Sequence, residues 1–223
     1  DMHVVTTGSS ALRNLANCIG RCHLDVEAFV VSPYAAGLST LVPDEMDLGV
    51  TLIDMGGGTT SITVFFSGEA VFSETVPVGG IHVTSDIARG LTTPLSDAER
   101  IKTLYGSTVR SPTDEREIID VPQIGEDRDA HPNHVPKSIL VSIIRPRLEE
   151  TFELVRARLE GSGLDHTAGR RVVLTGGASQ LQGVTELAGL VLDKQVRLGR
   201  PMRVSGIAEA TGGPAFATCA GLL

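Results

Sequence analysis

Two glycine-rich turns contain the residues of this chain whose types and spacing could bind a phosphate group. In the first, "LIDMGGGTTSITVF", Asp54 ends an apolar run and Gly56, Gly57 and Gly58 follow it. Successive backbone amides in such a turn can form a concave anion site, and a carboxylate beside it can hold Mg²⁺ through water. The alternative is a structural hairpin in which Asp54 caps the turn.

The second turn, in "VVLTGGASQL", places Gly176, Gly177 and Ala178 between an apolar strand and a helix. Small residues at such a position let a flat ligand lie against the backbone.

Two other known types of glycine-rich loop do not fit the first turn. A dinucleotide-binding loop opens a helix, whereas an alternating strand pattern follows Gly58, and a Walker loop needs a Lys-Ser or Lys-Thr pair that does not follow these glycines.

The overall charge and composition narrow the functional classes. The 223 residues are 41% hydrophobic, which is enough for a sizeable core, and we expect two subdomains. Asp and Glu number 27 against 19 Lys and Arg, a net charge of -8, so we expect no nucleic-acid partner. The 3 cysteines do not indicate a disulfide framework, and no apolar stretch is long enough to span a bilayer.

Regular elements must position the two turns. The apolar run Val50–Ile53 predicts a buried strand, and the alternation of Ile62, Val64 and Phe66 predicts that a β-hairpin follows the glycines. The stretch "VEAFVV", residues 26–31, predicts a further buried strand. The first turn would thus connect a buried strand to a hairpin.

A helix after the hairpin carries two further candidates, Glu99 and Lys102. The stretch "PLSDAERIKTLYG" predicts a helix that ends at Gly106 and holds both side chains one turn apart on the same face. Ser96 lies three residues before Glu99, so a capping box is a competing explanation for that glutamate.

The sequence resembles the actin superfamily, which includes actin, the DnaK-type chaperones and the sugar kinases, and within it the FtsA family of bacterial cell-division proteins. The similarity extends over nearly the whole chain. The stretches that carry it are "GVTLIDMGGGTTSITVF", "VTSDIARGLTTPLSDAERIK", "IIRPRLEETFELV", "VVLTGGASQLQGVTELA" and "FATCAGLL".

The resemblance implies an α/β fold, the actin-like (ribonuclease H-like) ATPase lobe, with a mixed sheet flanked by helices and an inserted smaller α+β subdomain. It assigns residues 1–46 to the end of a first lobe, 47–78 and 168–223 to the sheet subdomain of the second lobe, and 79–167 to the inserted subdomain. The family's first phosphate loop would lie before residue 1 and its membrane helix after residue 223. We therefore expect the chain to be a fragment.

The same resemblance implies ATP and Mg²⁺ as ligands. It gives Asp54 the metal, through water, and assigns phosphate binding to Gly56, Gly57, Gly58, Thr59 and Thr60. It assigns adenosine binding to Glu99, Lys102, Gly176, Gly177 and Ala178.

A partner site is implied on the long amphipathic helix in which Arg145 and Arg147 flank Pro146, a residue expected to kink it. Arginine forks pair carboxylates bidentately, and the resemblance implies that both arginines contact the C-terminal tail of FtsZ. The alternative is that Arg147 pairs with Glu149 or Glu150 on its own helix.

The implied function is an ATP-binding protein that polymerises into actin-like filaments and tethers the FtsZ ring to the membrane. It would lie on the cytoplasmic face of the inner membrane at the division septum, and reach the membrane through a segment outside this chain. Ser32 stands before "PYAA", where the chaperones carry a glutamate, so at most a weak ATPase is expected. The alternative is a sugar kinase-type phosphotransferase of the same superfamily.

Overall fold

The computed structural model describes residues 3–125, 133–164, 167–202 and 211–223. Its helices are α1 (Ser9–Gly20), α2 (Ser32–Thr40), α3 (Pro43–Leu48), α4 (Gly80–Leu91), α5 (Leu95–Tyr105), α6 (Lys137–Gly161), α7 (Val184–Leu192) and α8 (Ala217–Gly221). Its strands are β1 (Val50–Met55), β2 (Thr60–Phe66), β3 (Glu69–Val76), β4 (Ile118–Val121), β5 (Asn133–Pro136), β6 (Arg171–Thr175) and β7 (Gln195–Leu198). Short 3₁₀ turns cover Gly177–Gln180 and Pro214–Phe216.

A mixed sheet in the strand order β3-β2-β1-β6-β7 forms the centre of the fold. Strand β1 pairs antiparallel with β2 and parallel with β6, with Asp54 opposite Thr175 in the register. The carboxyl ends of parallel neighbours lie at the same edge of a sheet. The two glycine turns, which follow β1 and β6, are therefore neighbours although about 120 residues separate them.

Helices cover both faces of this sheet. On one face Ile53 and Leu174 belong to a buried cluster that includes Phe152 of α6 and Leu187 of α7. On the other face the sheet packs against α2, α3 and α8 in a smaller cluster that includes Leu41 and Leu52. Because both faces are buried, the central strands carry apolar side chains toward both faces, as in an α/β protein. The predicted fold class, a mixed sheet flanked by helices, is confirmed.

The residues between β3 and β6 form α4, α5, a two-stranded sheet of β4 and β5, and the 25-residue helix α6. Helix α6 continues through Pro146. Within the described ranges, no helix combines the length and hydropathy needed to cross a bilayer.

The strand predicted for residues 26–31 is wrong. This segment has no regular structure, and Phe29 and Val30 are 48% and 47% exposed. None of the described strands pairs with it, and an extended segment without a neighbour gains no ladder hydrogen bonds. Helix α1 likewise buries none of its residues.

Candidate functional site

A cleft of about 670 Å³ opens where the two glycine turns meet helices α4 and α5. Segments from four places in the sequence line it: Gly56 and Gly57; Gly80 and Ile81; Glu99, Lys102, Thr103, Leu104 and Gly106; and Gly177, Ala178, Gln180, Leu181 and Gln182. The structure thus brings together both glycine turns and the Glu99–Lys102 pair, which were predicted as site residues from separate stretches of the sequence.

The first turn is open on its outer side. The amide of Gly56 donates to the Thr59 carbonyl at 2.9 Å, which closes the turn. Gly57 and Gly58 are exposed, and within the described residues their amides have no hydrogen-bond acceptor. A methyl group added at either glycine would meet no atom within 4 Å. Free, accessible amides of this kind can receive a phosphate oxygen.

The two threonines of the predicted phosphate loop do not line the cleft. Thr60 is buried, and its hydroxyl donates to the Val78 carbonyl at 2.8 Å. Thr59 is exposed at the base of the turn. In this geometry Thr60 links the start of β2 to the segment that follows β3.

The first turn also holds the beginning of α4 in place. The amides of Gly80 and Ile81 donate to the carbonyls of Gly56 and Gly57 at 3.0 and 2.8 Å. A methyl group added at Gly79 would lie 2.7 Å from the Gly57 carbonyl oxygen. Gly79 and Gly80 were not among the predicted site residues, although the glycine pair in "VPVGGIHV" was the available signal. The backbone of Gly79 meets the turn too closely for a side chain, whereas a methyl group at Gly80 would make only ordinary contacts, the nearest at 3.5 Å.

Glu99 and Lys102 form a network with Thr84 of α4. The Lys102 ammonium donates to Glu99 Oε2 at 2.7 Å, to Thr84 Oγ1 at 2.9 Å and to the Gly80 carbonyl at 3.2 Å. The Thr84 hydroxyl donates to the same Glu99 oxygen. Partial burial raises the pKa of Glu99, but the hydrogen bonds from Lys102 and Thr84 outweigh it and hold that pKa below its ordinary value.

The capping-box explanation for Glu99 is wrong. Helix α5 begins at Leu95, its N-cap is Pro94, and no side chain caps it. Ser96 therefore lies inside the helix, and Glu99 bonds across to α4 instead. A tertiary contact has replaced the local one that the spacing suggested.

Asp54 lies beneath the second turn. Its Oδ2 accepts a hydrogen bond from the Thr218 hydroxyl of α8 at 3.1 Å. Burial raises the pKa of Asp54 above its ordinary value, while the hydrogen bond from Thr218 opposes that shift. Sequence reasoning missed Thr218, because no local pattern marks a residue 164 positions away in the chain.

The donor set around Asp54 fits a metal held mainly by phosphate and water. Across the described residues, no group of three or more His, Cys, Asp or Glu could hold a metal ion directly. Magnesium bound to a nucleotide keeps several waters and takes one or two carboxylates. Asp54 supplies one carboxylate beside the open turn.

The second turn is fixed by the chain around it. Gly176 has φ +86°, and its amide donates to the Pro214 carbonyl at 3.1 Å. The buried Thr175 hydroxyl lies 3.2 Å from the carbonyls of Gly199 and Pro214. Gly177 and Ala178 then line the cleft. The small side chains leave this wall flat.

Arg145 and Arg147 lie on α6, outside the residues that line the cleft. Arg147 forms a bidentate pair with Asp86 of α4, with Nε 2.5 Å from Oδ2 and Nη2 3.3 Å from Oδ1, and it also pairs with Glu150. The Asp86 carboxylate raises the pKa of Arg147 above its ordinary value. Arg145 pairs with Glu149 at 2.7 Å. The sequence alternative named Glu150 but not the partner on α4.

Comparison with known proteins gives a family match. A family model described as "Cell division protein FtsA" matches residues 51–221. The cell division protein FtsA of Rhizobium meliloti (strain 1021) is 52% identical over 223 residues, which are 100% of this chain and 50% of that protein. The chain spans about half the length of the curated relatives it matches.

Solved structures share the fold. MreB5 of Spiroplasma citri bound to ADP matches with a TM-score of 0.74 at 17% identity, covering 97% of this chain and 64% of that one. A structure of the PilM-PilN type IV pilus biogenesis complex matches with a TM-score of 0.70 at 21% identity, covering 95% and 56%. At these identities the likeness concerns the fold alone, which is actin-like.

Proposed function

Because the chain belongs to the FtsA family of cell division proteins, we propose that it supplies one side of a clamp that binds ATP with Mg²⁺. The observation that carries this proposal is the cleft, where both glycine turns and the Glu99–Lys102 pair meet. An actin-like relative in fold, MreB5, has been solved bound to ADP. A cleft with a Glu99–Lys102 ion pair, open amides and small residues suits a nucleotide.

The proposed domain organisation follows the sheet. Residues 47–78 and 168–223 would form the sheet subdomain of a second lobe, since β1 to β3 and β6 to β7 share one sheet. Residues 79–167 would be the inserted subdomain and residues 1–46 the end of a first lobe. The exposure of the apolar side chains of Val4, Leu15 and Leu24 suits a segment that packs against further protein.

Residues that line the cleft, together with Gly58 and Asp54 beside it, would each contact a different part of the nucleotide. The free amides of Gly57 and Gly58 would receive phosphate oxygens, and Asp54 would hold the hydrated Mg²⁺. Gly177 and Ala178 would lie against the adenosine. Glu99 Oε1 would accept a hydrogen bond from a ribose hydroxyl. The hydrogen bonds from Lys102 and Thr84 both go to Oε2, so they leave Oε1 for the ligand.

The residues of this cleft do not favour fast hydrolysis of ATP or fast transfer of a phosphate group. Glu99 is the one carboxylate among the described residues that line it, and Thr84 and Lys102 already bond to it. A general base must reach the attacking water or hydroxyl. Slow hydrolysis, with the nucleotide acting as a structural ligand, agrees better with this geometry than phosphotransfer to a sugar.

In the whole protein we assign the nucleotide-bound form to filaments that tether the FtsZ ring to the cytoplasmic face of the inner membrane. Membership of a cell-division family supports this role. Arg145 and Arg147 remain the residues we assign to the acidic tail of FtsZ. Because Asp86 occupies the fork of Arg147, a tail carboxylate would have to compete with it.

The nucleotide proposal is tested by Asp54→Asn in the full-length protein. Loss of the charge should weaken ATP binding in Mg²⁺ about tenfold, in line with the worth of a hydrogen bond to a charged group. The melting temperature without nucleotide should not fall, because Asn can still accept the Thr218 hydrogen bond and burial disfavours the Asp54 charge. Titration calorimetry and thermal melts measure the two effects.

The matched control is Asp44→Asn, an equal charge change at an exposed residue of α3. It should leave both quantities unchanged. A lower melting temperature with unchanged ATP affinity in Asp54→Asn would support the turn-capping role instead. A wild-type protein without ATP affinity would overturn the proposed function.

The partner proposal is tested by two substitutions with opposite expected effects. Arg147→Glu should weaken binding of an FtsZ tail peptide about tenfold, because a bidentate charged pair is lost. Asp86→Asn should strengthen it, because the Arg147 fork loses its internal partner. Fluorescence anisotropy with the labelled peptide measures both.

Arg156→Glu, the same charge reversal elsewhere on α6, should leave peptide affinity unchanged. Circular dichroism should report equal helicity in all variants. If Asp86→Asn and Arg147→Glu weaken binding alike, the pair has a structural role and the assignment of Arg147 to the tail is wrong.

A further inference from the structure

Thr218 of α8 contacts the carboxylate proposed for the metal, although no motif marks it. Its hydroxyl lies 3.1 Å from Asp54 Oδ2 and 3.5 Å from the Ser32 carbonyl. A hydroxyl has one proton to donate, and the shorter contact to a carboxylate is the stronger. The hydroxyl therefore bonds to Asp54.

Helix α8 is a rigid base for this contact. It packs on α2, where the Ser39 hydroxyl donates to the Ala217 carbonyl at 2.7 Å. A methyl group added at Gly221 would lie 1.7 Å from the Ala35 carbonyl oxygen. The backbones of α2 and α8 touch, so the Thr218 side chain begins from a fixed position.

The carboxylate of Asp54 is held on both sides. Thr218 holds Oδ2, and a methyl group added at Gly176 would lie 2.4 Å from Oδ1. Among the described residues, no basic side chain pairs with Asp54. Thr218 is therefore the side chain that sets the direction of this carboxylate.

We propose that Thr218 is a positioning residue that fixes the Asp54 carboxylate for the water shell of nucleotide-bound Mg²⁺, and so connects α8 to the metal. This inference rests on the proposed function of the cleft. A carboxylate that acts through water must be held within about half an ångström to be effective. Without the hydroxyl the carboxylate keeps its charge but loses its orientation.

The experiment measures binding of a fluorescent ADP analogue to full-length protein in Mg²⁺ and in EDTA. Thr218→Val keeps the shape but removes the donor, so affinity in Mg²⁺ should fall about fivefold while affinity in EDTA stays the same. Thr218→Ser keeps the hydroxyl and should restore most of the Mg²⁺ effect. Thr218→Ala is a second variant without the donor, used if the valine protein does not fold.

Thr151→Val is the matched control, because it makes the same substitution at a threonine of α6, whose hydroxyl donates to the Arg147 carbonyl and does not contact α8 or Asp54. It should leave the Mg²⁺ effect intact. The inference is overturned if Thr218→Val keeps the wild-type Mg²⁺ effect, or if Thr218→Ser or Thr151→Val loses as much as Thr218→Val. A wild-type protein that binds no nucleotide overturns this inference and the proposed function together. One that binds nucleotide equally well without Mg²⁺ overturns this inference and the assignment of Mg²⁺ to Asp54, but not nucleotide binding at the cleft.

Discussion

The two glycine turns at the cleft contain the same residue type for opposite reasons. At Gly176, φ is +86°, and an added methyl group would lie 2.4 Å from Asp54 Oδ1 and 2.5 Å from the Met55 carbonyl oxygen. At Gly57 and Gly58 an added methyl group would meet nothing within 4 Å, and neither residue has a left-handed φ.

The difference distinguishes a glycine that internal packing requires, Gly176, from two glycines whose backbone forms an open surface, Gly57 and Gly58. Gly176 is required by the chain itself, because β1 and β6 lie side by side and their ends leave no room for a Cβ. Nothing in the described residues requires glycine at Gly57 or Gly58. Their open backbone is available to a ligand, and a phosphate is the group whose close approach such amides favour.

The largest effect is expected at the packed turn. Gly176→Ala should lower the free energy of unfolding by about 3 kcal/mol, because the methyl group meets backbone and the φ is left-handed. Urea denaturation of the purified protein measures the change. Gly177→Ala, one residue later, meets only the Ala215 side chain at 3.9 Å among described atoms and is the matched control. A Gly176→Ala protein as stable as this control would remove the distinction between the turns.

The existence of both turns could be predicted from sequence, but their difference could not. Short apolar runs that end in glycines are typical of buried strands that end in a turn. Which glycine is packed depends on the register that sets Asp54 beside Thr175. That register is a long-range pairing, and no local pattern encodes it.

Elsewhere tertiary contacts replaced the local contacts that the spacing predicts, or were added to them. The spacing of Ser96 and Glu99 fits a capping box, yet Glu99 bonds to Thr84 on the neighbouring helix. Arg147 has acidic neighbours on its own helix, yet its bidentate partner is Asp86 on α4. In each case the local partner was readable from spacing, whereas the distant one required the packing of α4 against α5 and α6.

At residues 26–31 a local pattern predicts a strand, but the tertiary contacts that a strand needs are missing among the described residues. Its β-branched and aromatic residues predict a strand, but strand formation needs a neighbouring strand, and none of the described ones lies beside it. The candidate cleft was more predictable than this segment. Its main walls are the turns at two strand ends and one face of a helix. Glycines after apolar runs indicate the turns, and the spacing of Glu99 and Lys102 indicates the helix face.

The smaller effect is expected at the open turn, and it should appear in binding rather than in stability. Gly57→Ala should change the free energy of unfolding by less than about 0.5 kcal/mol, because the methyl group enters open space. In the full-length protein the same methyl group would stand where a phosphate oxygen approaches the amide, and ATP affinity should fall about tenfold, equivalent to about 1.4 kcal/mol. Titration calorimetry and urea denaturation measure the two quantities, and Gly161→Ala, another glycine with open space around it, is the control for both. Unchanged ATP affinity would place the phosphate elsewhere, whereas a large loss of stability would mean that the chain requires this glycine as it requires Gly176.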